Sequence, residues 1–186
     1  MEHFFEHVKG WFSFSLVYQR VVKEAPDPAY FVEIGCWKGR SACFMAVEIA
    51  NSGKKITFDC VDTWLGSSDM QDHKEIVEGT LFDEFLANTA PVSHLINVVR
   101  LPSVEAAKDY QDNSLDFVFI DADHAYACIA ADITAWWPKV KSGGLIAGDD
   151  AQGKGVDRAV REFFNDKARH LPGTGKGCQW EFRKPL

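Results

Sequence analysis

The segment from Phe31 to Ala50 constrains the fold of this chain more than any other. A short apolar-rich run ends at Gly35, and a second glycine, Gly39, follows four positions later. From Ser41 onward apolar residues occupy every side of a helical period, as in a buried helix. The pattern predicts a buried strand, a glycine turn and a helix. Gly35 lets a ligand approach the backbone, and Gly39 lets the helix begin close to the strand.

The spacing and charge of this turn favour one kind of ligand. Dinucleotide-binding turns follow the pattern G-x-G-x-x-G, whereas here three residues separate Gly35 from Gly39 and Glu33 lies at the strand end. A carboxylate there repels a pyrophosphate but suits a ligand with an amine and a carboxylate on one carbon, as in a methionine moiety. The N–H groups at the start of the helix suit the carboxylate of such a ligand. The alternative is an ordinary strand, turn and helix without a ligand.

Composition and charge narrow the class of protein. The chain has 186 residues, which is enough for one domain with a sizeable core. A formal charge of −7 argues against a nucleic-acid partner, and no apolar stretch is long enough to span a membrane. The first residues lack the pattern of a signal peptide, and the five cysteines have no CxxC spacing, so we expect a reducing, cytoplasmic location. The sequence leaves both a monomer and a homo-oligomer open.

Strand and helix patterns alternate along the rest of the chain. Residues 1–28 predict an N-terminal helical cap, with a helix over 13–24 that ends before Pro26. Further strands are predicted at 55–61, 95–99, 115–120 and 142–148, and helices at 75–88, 103–108, 125–137 and 155–167. The alternating segment 178–183 predicts an antiparallel closing strand. The prediction is a single α/β domain, residues 1–186, with a doubly wound, mostly parallel sheet.

A long polar segment, residues 63–78, follows the second predicted strand. Long loops on a rigid scaffold often carry binding residues, so we predict a lid over the substrate. His73, within this segment, is expected to be a solvated surface residue. Asp62 ends the second strand, at the place where an acidic residue accepts hydrogen bonds from both hydroxyls of a ribose. The alternative for Asp62 is a solvated strand cap.

Carboxylates collect at the predicted carboxyl ends of the strands, where ligands bind in such sheets. They are Glu33, Asp62, Asp121, Asp123, Asp149 and Asp150. Crowded carboxylates raise one another's pKa values unless a cation neutralises them. Asp121, Asp149 and Asp150 therefore predict a Mg²⁺ or Mn²⁺ site. The alternative for Asp149 and Asp150 is a turn after a strand, where Asp is favoured.

His124 lies three residues after Asp121, on the same predicted loop. A histidine beside carboxylates at a polar strand end is placed to act as a general base. The alternatives are a structural residue that hydrogen-bonds Asp121 and a metal ligand.

With these residues together, the chain resembles the class I S-adenosylmethionine-dependent methyltransferases over about residues 30–165. More narrowly, it is similar to the small metal-dependent O-methyltransferases: the catechol and caffeoyl-CoA enzymes and those that methylate macrolide sugars. Residues 32–41 are similar to the glutamate–leucine–glycine turn of the catechol enzyme. The resemblance implies a Rossmann-like, seven-stranded sheet. It also implies cofactor contacts at Glu33, Gly35, Trp37, Gly39, Ser41, Asp62, Ser103 and Asp121, with Asp62 at the ribose and Ser103 at the adenine.

The region 115–150 is the most specific part of the resemblance, because it follows the caffeoyl-CoA pattern closely. It implies metal ligands at Asp121, Asp149 and Asp150. Two differences separate this chain from that branch. The third ligand is often Asn in the plant and animal enzymes, and His124 stands where the caffeoyl-CoA enzymes have Lys. The macrolide-sugar branch has Asp and a catalytic His at these positions, which favours a sugar or similar hydroxyl over a catechol.

The sequence therefore predicts an enzyme that transfers a methyl group from S-adenosylmethionine to a hydroxyl of a small molecule or sugar. Mg²⁺ would lower the pKa of the hydroxyl, His124 would take its proton, and Asp121 would take part in catalysis as well. Two other functions stay open: a metal-dependent, hydroxylase-like enzyme that uses Fe²⁺, and a non-catalytic module that binds S-adenosylmethionine. The missing third glycine and Glu33 count against a nucleotide-dependent dehydrogenase.

Overall fold

A computed structural model describes residues 1–68, 70–173 and 177–186. Its strands are β1 (Ala29–Ile34), β2 (Ile56–Asp62), β3 (Asn97–Arg100), β4 (Leu115–Ile120), β5 (Val140–Gly148), β6 (Arg169–Pro172) and β7 (Cys178–Arg183). They form one sheet in the order β3-β2-β1-β4-β5-β7-β6. The first five strands are parallel, and β6 and β7 are antiparallel to their neighbours. The predicted α/β class and the mostly parallel, seven-stranded sheet with an antiparallel C-terminal strand are confirmed.

Helices cover both faces of the sheet. They are α1 (Ser15–Glu24), α2 (Arg40–Ser52), α3 (Lys74–Val77), α4 (Leu81–Thr89), α5 (Ser103–Ala106), α6 (Tyr126–Trp136) and α7 (Lys154–Phe164). Among the described residues, no helix has the length and apolar character needed to cross a bilayer.

Two hydrophobic layers hold the helices to the sheet. Successive side chains of a strand point to opposite faces, so Phe31 joins the layer under α1 and α2, whereas Val32 and Ile34 join the layer under α6 and α7. Helix α2 is buried nearly all round because α1, α4 and the N-terminal 3₁₀ turn pack against it in addition to the sheet. This packing explains why its sequence is apolar on every side.

The structure differs from the predicted elements mainly in one helix that is split, one strand that begins later and one strand that was not predicted. The predicted helix over 75–88 is two helices, α3 and α4, because Gly79 takes a left-handed φ of +71° between them. Val77, which the apolar spacing of the single predicted helix would turn inward, is 72% exposed. Strand β3 begins two residues later than predicted, after a 3₁₀ turn over Ala90–Leu95. The short strand β6 was not predicted, since its four residues carry no alternating apolar pattern.

The register of the parallel strands brings their carboxyl ends together. Ile34 pairs with Val61 of β2 and with Ile120 of β4, and β5 ends beside β4. The residues that end or directly follow these strands lie side by side at one edge of the sheet: Gly35, Asp62, Asp121 and Asp149. The strand order reverses between β1 and β4, and such a reversal leaves a crevice where ligands bind.

Candidate functional site

A cavity of about 680 Å³ opens at this edge of the sheet. That volume lies within the range of small-molecule sites, about 300–1,000 Å³. Most of the predicted site residues line it: Gly35, Trp37, Ser41, Asp62, Ser103, Asp121, His124, Asp149 and Asp150. Glu33 and Gly39 are not among its lining residues. The structure thus brings the predicted metal, base and cofactor residues to one place, and their individual roles stay predictions.

The two glycines of the turn have different tasks. Gly35 has a φ of +84°, and a Cβ added there would lie 2.0 Å from the carbonyl oxygen of Asp121. Only glycine fits this crossing of the two chain segments. Gly39 also has a positive φ, but a Cβ there would lie 2.7 Å from Cγ2 of Thr89 in α4. Gly39 therefore lets α4 pack closely against the glycine turn. The sequence had assigned it another task, to let α2 begin close to β1.

Asp62 holds the glycine turn in shape. Its Oδ2 accepts hydrogen bonds from the N–H groups of Cys36 at 2.8 Å and Trp37 at 3.0 Å, and its Oδ1 accepts one from Trp64 at 2.8 Å. Burial raises the pKa of Asp62, and these N–H groups oppose that rise. Both carboxylate oxygens thus serve the turn. The predicted contact with a ribose would use their remaining lone pairs.

Glu33 is fully buried and is not among the residues that line the cavity, and its predicted contact with the cofactor stays a prediction. Its Oε1 accepts a hydrogen bond from the Ser41 hydroxyl, and its Oε2 has no hydrogen-bond partner among the described residues. Burial raises the pKa of Glu33 to about 7, against the opposing effects of the Ser41 and Tyr18 hydroxyls. A cation near this carboxyl would stabilise its ionised form and lower its pKa.

Two thiols, those of Cys36 and Cys60, lie within 4.8 Å of each other and of a Glu33 oxygen. Burial raises the pKa of both thiols. The thiolate, and not the thiol, binds metals and attacks electrophiles. Both cysteines are buried members of the hydrophobic layer under α1 and α2.

Asp121, His124 and Asp150 form a second group, whose potential ligand atoms also lie within 4.8 Å of one another. His124 Nε2 lies 3.0 Å from Oδ2 of Asp150. The imidazole lowers the pKa of Asp150. Burial, followed by the charges of Asp149 and Asp150, raises the pKa of Asp121 well above its ordinary value. The group therefore combines Asp121, a carboxyl with a raised pKa, with the ion pair of His124 and Asp150.

Asp149 has different partners from its neighbour Asp150. Its Oδ2 accepts a hydrogen bond from Ser13 Oγ at 2.9 Å, and its Oδ1 accepts one from Gln179 Nε2 at 2.6 Å. Burial raises the pKa of Asp149, and these two donors oppose the rise. Asp149 thereby links β5 to the N-terminal segment and to β7. Sequence reasoning missed Ser13 and Gln179, and no local pattern marks them.

The predicted lid, residues 63–78, is described except for Asp69, which lies outside the described residues. Trp64 anchors one end of this segment: it is buried, and its indole N–H donates to the Trp37 carbonyl oxygen at 2.9 Å. The N–H of Ser68 donates to Oδ2 of Asp123 at 3.0 Å. Gly66, Ser67 and Met70 line the cavity. The segment thus forms part of the cavity wall, and its role as a lid stays a prediction.

The N-terminal segment supplies another part of the wall that the sequence did not specify. Gly10, Trp11, Phe12 and Ser13 line the cavity. Arg40, at the start of α2, donates to the Gly10 carbonyl oxygen at 2.6 Å. On the opposite side, Ser103 accepts a hydrogen bond from the Trp136 indole N–H at 2.9 Å.

Comparison with known proteins identifies the family. Residues 32–151 match the family model described as a methyltransferase domain. This chain belongs to that methyltransferase family. Its sequence resemblance to the class I S-adenosylmethionine-dependent methyltransferases is thereby confirmed.

Solved structures share the fold. The O-methyltransferase NovP has a TM-score of 0.68 and 16% identity, with 92% of this chain and 79% of that chain covered. CalS11, a TDP-rhamnose 3′-O-methyltransferase in calicheamicin biosynthesis, has a TM-score of 0.58 and 17% identity, with coverage of 90% and 76%. The protein named uncharacterized protein y4gI, from Sinorhizobium fredii (strain NBRC 101917 / NGR234), is 24% identical over 170 residues. That match covers 91% of this chain but only 18% of the relative, which is therefore much longer.

Proposed function

We propose that this methyltransferase domain transfers the methyl group of S-adenosylmethionine to a hydroxyl oxygen of a small molecule, with a divalent metal and with His124 as the general base. The group formed by Asp121, His124 and Asp150, beside the Gly35 turn, carries this proposal. Membership of the family supports the methyl transfer. The O-methyltransferases of the same fold support oxygen as the acceptor atom.

The cofactor's methionine end would lie on the turn at Gly35, Trp37 and Ser41. The first turn of the 13-residue helix α2 provides N–H groups that suit its carboxylate. Its cationic amine and sulfonium would be stabilised by the negative charges around the cavity, including the unpaired oxygen of Glu33 beneath it. Asp62 and Ser103 would contact the ribose and the adenine.

The potential ligand atoms of Asp121, His124 and Asp150 lie within 4.8 Å of one another. Two carboxylates and an imidazole at this spacing fit a divalent cation. Asp121, Asp149 and Asp150 are the proposed ligands. A competing assignment replaces Asp149 with His124, because Asp149 is hydrogen-bonded to Ser13 and Gln179. When bound, Mg²⁺ or Mn²⁺ would lower the pKa of the acceptor hydroxyl.

The rest of the chemistry belongs to His124 and Asp150. The imidazole takes the hydroxyl proton, and the Asp150 carboxylate, 3.0 Å from Nε2, stabilises the imidazolium that results. The walls of the cavity align the acceptor oxygen with the methyl group and the sulfur, and such alignment accounts for much of the rate in reactions of this kind.

The test is isothermal titration of S-adenosylhomocysteine into metal-stripped protein, with and without Mg²⁺. We expect micromolar binding of the cofactor product and a separate Mg²⁺ heat that is lost in Asp150→Asn. Glu78→Gln, an exposed change outside the cavity, is the control and should keep both signals. Absence of S-adenosylhomocysteine binding would refute the proposed function, and a cofactor signal without any Mg²⁺ heat would remove the metal from it.

The same titration distinguishes the two ligand assignments. If His124 is the base, His124→Gln keeps the Mg²⁺ heat and Asp149→Asn loses it. The reverse result would make His124 a ligand.

A further inference from the structure

A buried lysine, Lys38, lies within the glycine turn, between Trp37 and Gly39. Only 6% of its side chain is exposed, and its ammonium group contacts two carboxylates. Its Nζ donates to Oε1 of Glu75 in α3 and lies 3.0 Å from Oε2 of Glu84 in α4. A lysine is almost never buried to this extent unless it is paired. The ammonium group therefore joins the glycine turn to two separate helices.

Helix α4 has other attachments to the glycine turn. Asn88 Nδ2 donates to the Lys38 carbonyl oxygen at 2.9 Å. A Cβ added at Gly39 would lie 3.1 Å from Cδ2 of Phe85, so the helix touches the turn there. Phe85 is fully buried. The loss of the Glu84 carboxylate would therefore leave α4 in place.

Helix α3 depends more on charge, because it buries little apolar surface. None of its four residues is buried, although Ile76 packs against the hydrophobic layer under α1 and α2. His73 precedes the helix and was predicted to be a solvated surface residue. Its ring instead contacts the indoles of Trp11 and Trp37 edge-on, with centroids 6.1 and 5.4 Å apart. The ion pair between α3 and the turn therefore supplies much of the attachment of this helix.

The position of α3 decides where one wall of the cavity lies. We call residues 63–78 the wall segment, since Gly66 and Ser67 within it line the cavity. A Cβ added at Gly66 would lie 2.1 Å from Cδ1 of Ile76, so α3 is in close contact with the lining loop. Gln71 Nε2 donates to the carbonyl oxygens of Gly66 at 3.3 Å and Ser67 at 2.9 Å. The lining loop and α3 therefore form one unit.

We propose that Lys38 is a positioning residue of the methyltransferase site, which holds the wall segment against the glycine turn through Glu75. This inference rests on the proposed function, in which the methionine end of the cofactor lies on that turn. Lys38 is the chain neighbour of Trp37, a proposed cofactor contact, so it links the cofactor turn to another wall of the cavity. Cofactor binding should then steady the wall segment, and this effect should pass through the pair of Lys38 and Glu75.

The experiment measures the exchange of backbone amide protons with water by NMR. Wild-type protein and each variant are compared without ligand and with saturating S-adenosylhomocysteine. The N–H groups of Ser68, Met70 and His73 report on the wall segment, because each donates a hydrogen bond that depends on its position. The N–H of Trp64 is the internal reference, since this buried residue donates to Asp62 at the end of β2.

The variants Glu75→Ala and Glu84→Ala are a matched pair. Each removes one carboxylate from the same ammonium group and leaves it the other, so Lys38 stays paired and both variants should fold. In Glu75→Ala the three wall amides should exchange about tenfold faster, since a hydrogen bond to a charged group is worth about that factor or more. In Glu84→Ala they should exchange at the wild-type rate, within about threefold, because α4 keeps its other contacts.

A double-mutant cycle isolates the ion pair from other effects. Lys38→Met should speed the exchange of the wall amides as Glu75→Ala does. The combination of Lys38→Met with Glu75→Ala should add less than about twofold, because the pair is already broken in the single variant.

The ligand distinguishes positioning of the site from general stability. S-adenosylhomocysteine should slow the exchange of the wall amides in wild-type protein by about threefold or more, and this protection should be lost in Glu75→Ala but kept in Glu84→Ala. The exchange of the Trp64 amide should stay the same in both variants.

Three results would overturn this inference and leave the proposed function intact. The first is equal exchange of the wall amides in Glu75→Ala and Glu84→Ala. The second is protection of these amides by S-adenosylhomocysteine in Glu75→Ala to the same degree as in wild-type protein. The third is an acceleration at Trp64 as large as that in the wall segment, because the ion pair would then serve the stability of the whole domain. Failure of wild-type protein to bind S-adenosylhomocysteine would refute the proposed function and this inference together.

Discussion

The substitution Glu33→Gln tests how the floor of the cavity is built. The carboxyl of Glu33 is fully buried, and only one of its oxygens accepts a hydrogen bond among the described residues. Burial raises its pKa from 4.5 to about 7. Glutamine keeps the shape of the side chain but does not ionise, so the variant isolates the free energy of ionisation.

The effect on stability depends on pH in a defined direction. Below about pH 4.5 the carboxyl is protonated in the folded and the unfolded chain, so ionisation costs nothing. Between pH 4.5 and about 7 the unfolded chain ionises first, and the folded protein loses stability as the pH rises. Above about pH 7 both states are ionised and the loss is constant. At about 1.4 kcal/mol for each pH unit, the total loss is about 3 kcal/mol.

The assay is urea unfolding followed by tryptophan fluorescence at several values between about pH 4.5 and 8. The free energy of unfolding of Glu33→Gln, relative to wild type, should rise by about 3 kcal/mol over this range. Glu78→Gln, whose side chain is exposed, is the control and should show a nearly constant difference. A constant difference for Glu33→Gln as well would refute the conclusion that burial raises the pKa of this carboxyl.

The remaining predictions concern the turn, the base and the cofactor. Gly35→Ala should lower the free energy of unfolding by more than about 3 kcal/mol, since its Cβ would lie 2.0 Å from the Asp121 carbonyl oxygen. Gly53→Ala is the control, because Gly53 has a positive φ but open space around it. It should lower the free energy of unfolding by about 1 kcal/mol in the same urea titration. His124→Gln should lower methyl transfer about 10²–10⁴-fold with the affinity for S-adenosylhomocysteine within twofold, and retained turnover would exclude His124 as the base. S-adenosylhomocysteine binding near pH 7 should release protons, because the amine of the ligand should lower the pKa of Glu33. Calorimetric titrations in phosphate and in Tris, which have different enthalpies of ionisation, would measure this release. It should disappear in Glu33→Gln.

Local sequence patterns were sufficient for the fold and for the position of the site. Alternating strand and helix periods predicted the order of the central elements, and carboxylates at strand ends marked the edge where the cavity lies. Gly35 was recognised from its place between an apolar strand and a buried helix. These features could be predicted because parallel strands with right-handed crossovers place their carboxyl ends at one edge.

Residues that meet across long sequence separations could not be predicted in this way. Asp149 is held by Ser13 and Gln179, which lie 136 and 30 residues away in the chain. The break between α3 and α4 was missed because the apolar spacing continues across Gly79. In each case a tertiary contact or a single backbone angle outweighed the local pattern.

The sequence by itself therefore determined the family, the layered α/β architecture and the set of polar groups at the strand ends. Each of these can be read from the apolar periodicity of single elements and from the residues at their ends, which are close together in the chain. Only the tertiary structure decided how those groups are used. It buried Glu33 completely, paired His124 with Asp150, and brought Trp11 beside Trp37 and His73. Burial, charge and ring contacts arise between segments distant in the chain, and so they depend on the complete packing of the domain.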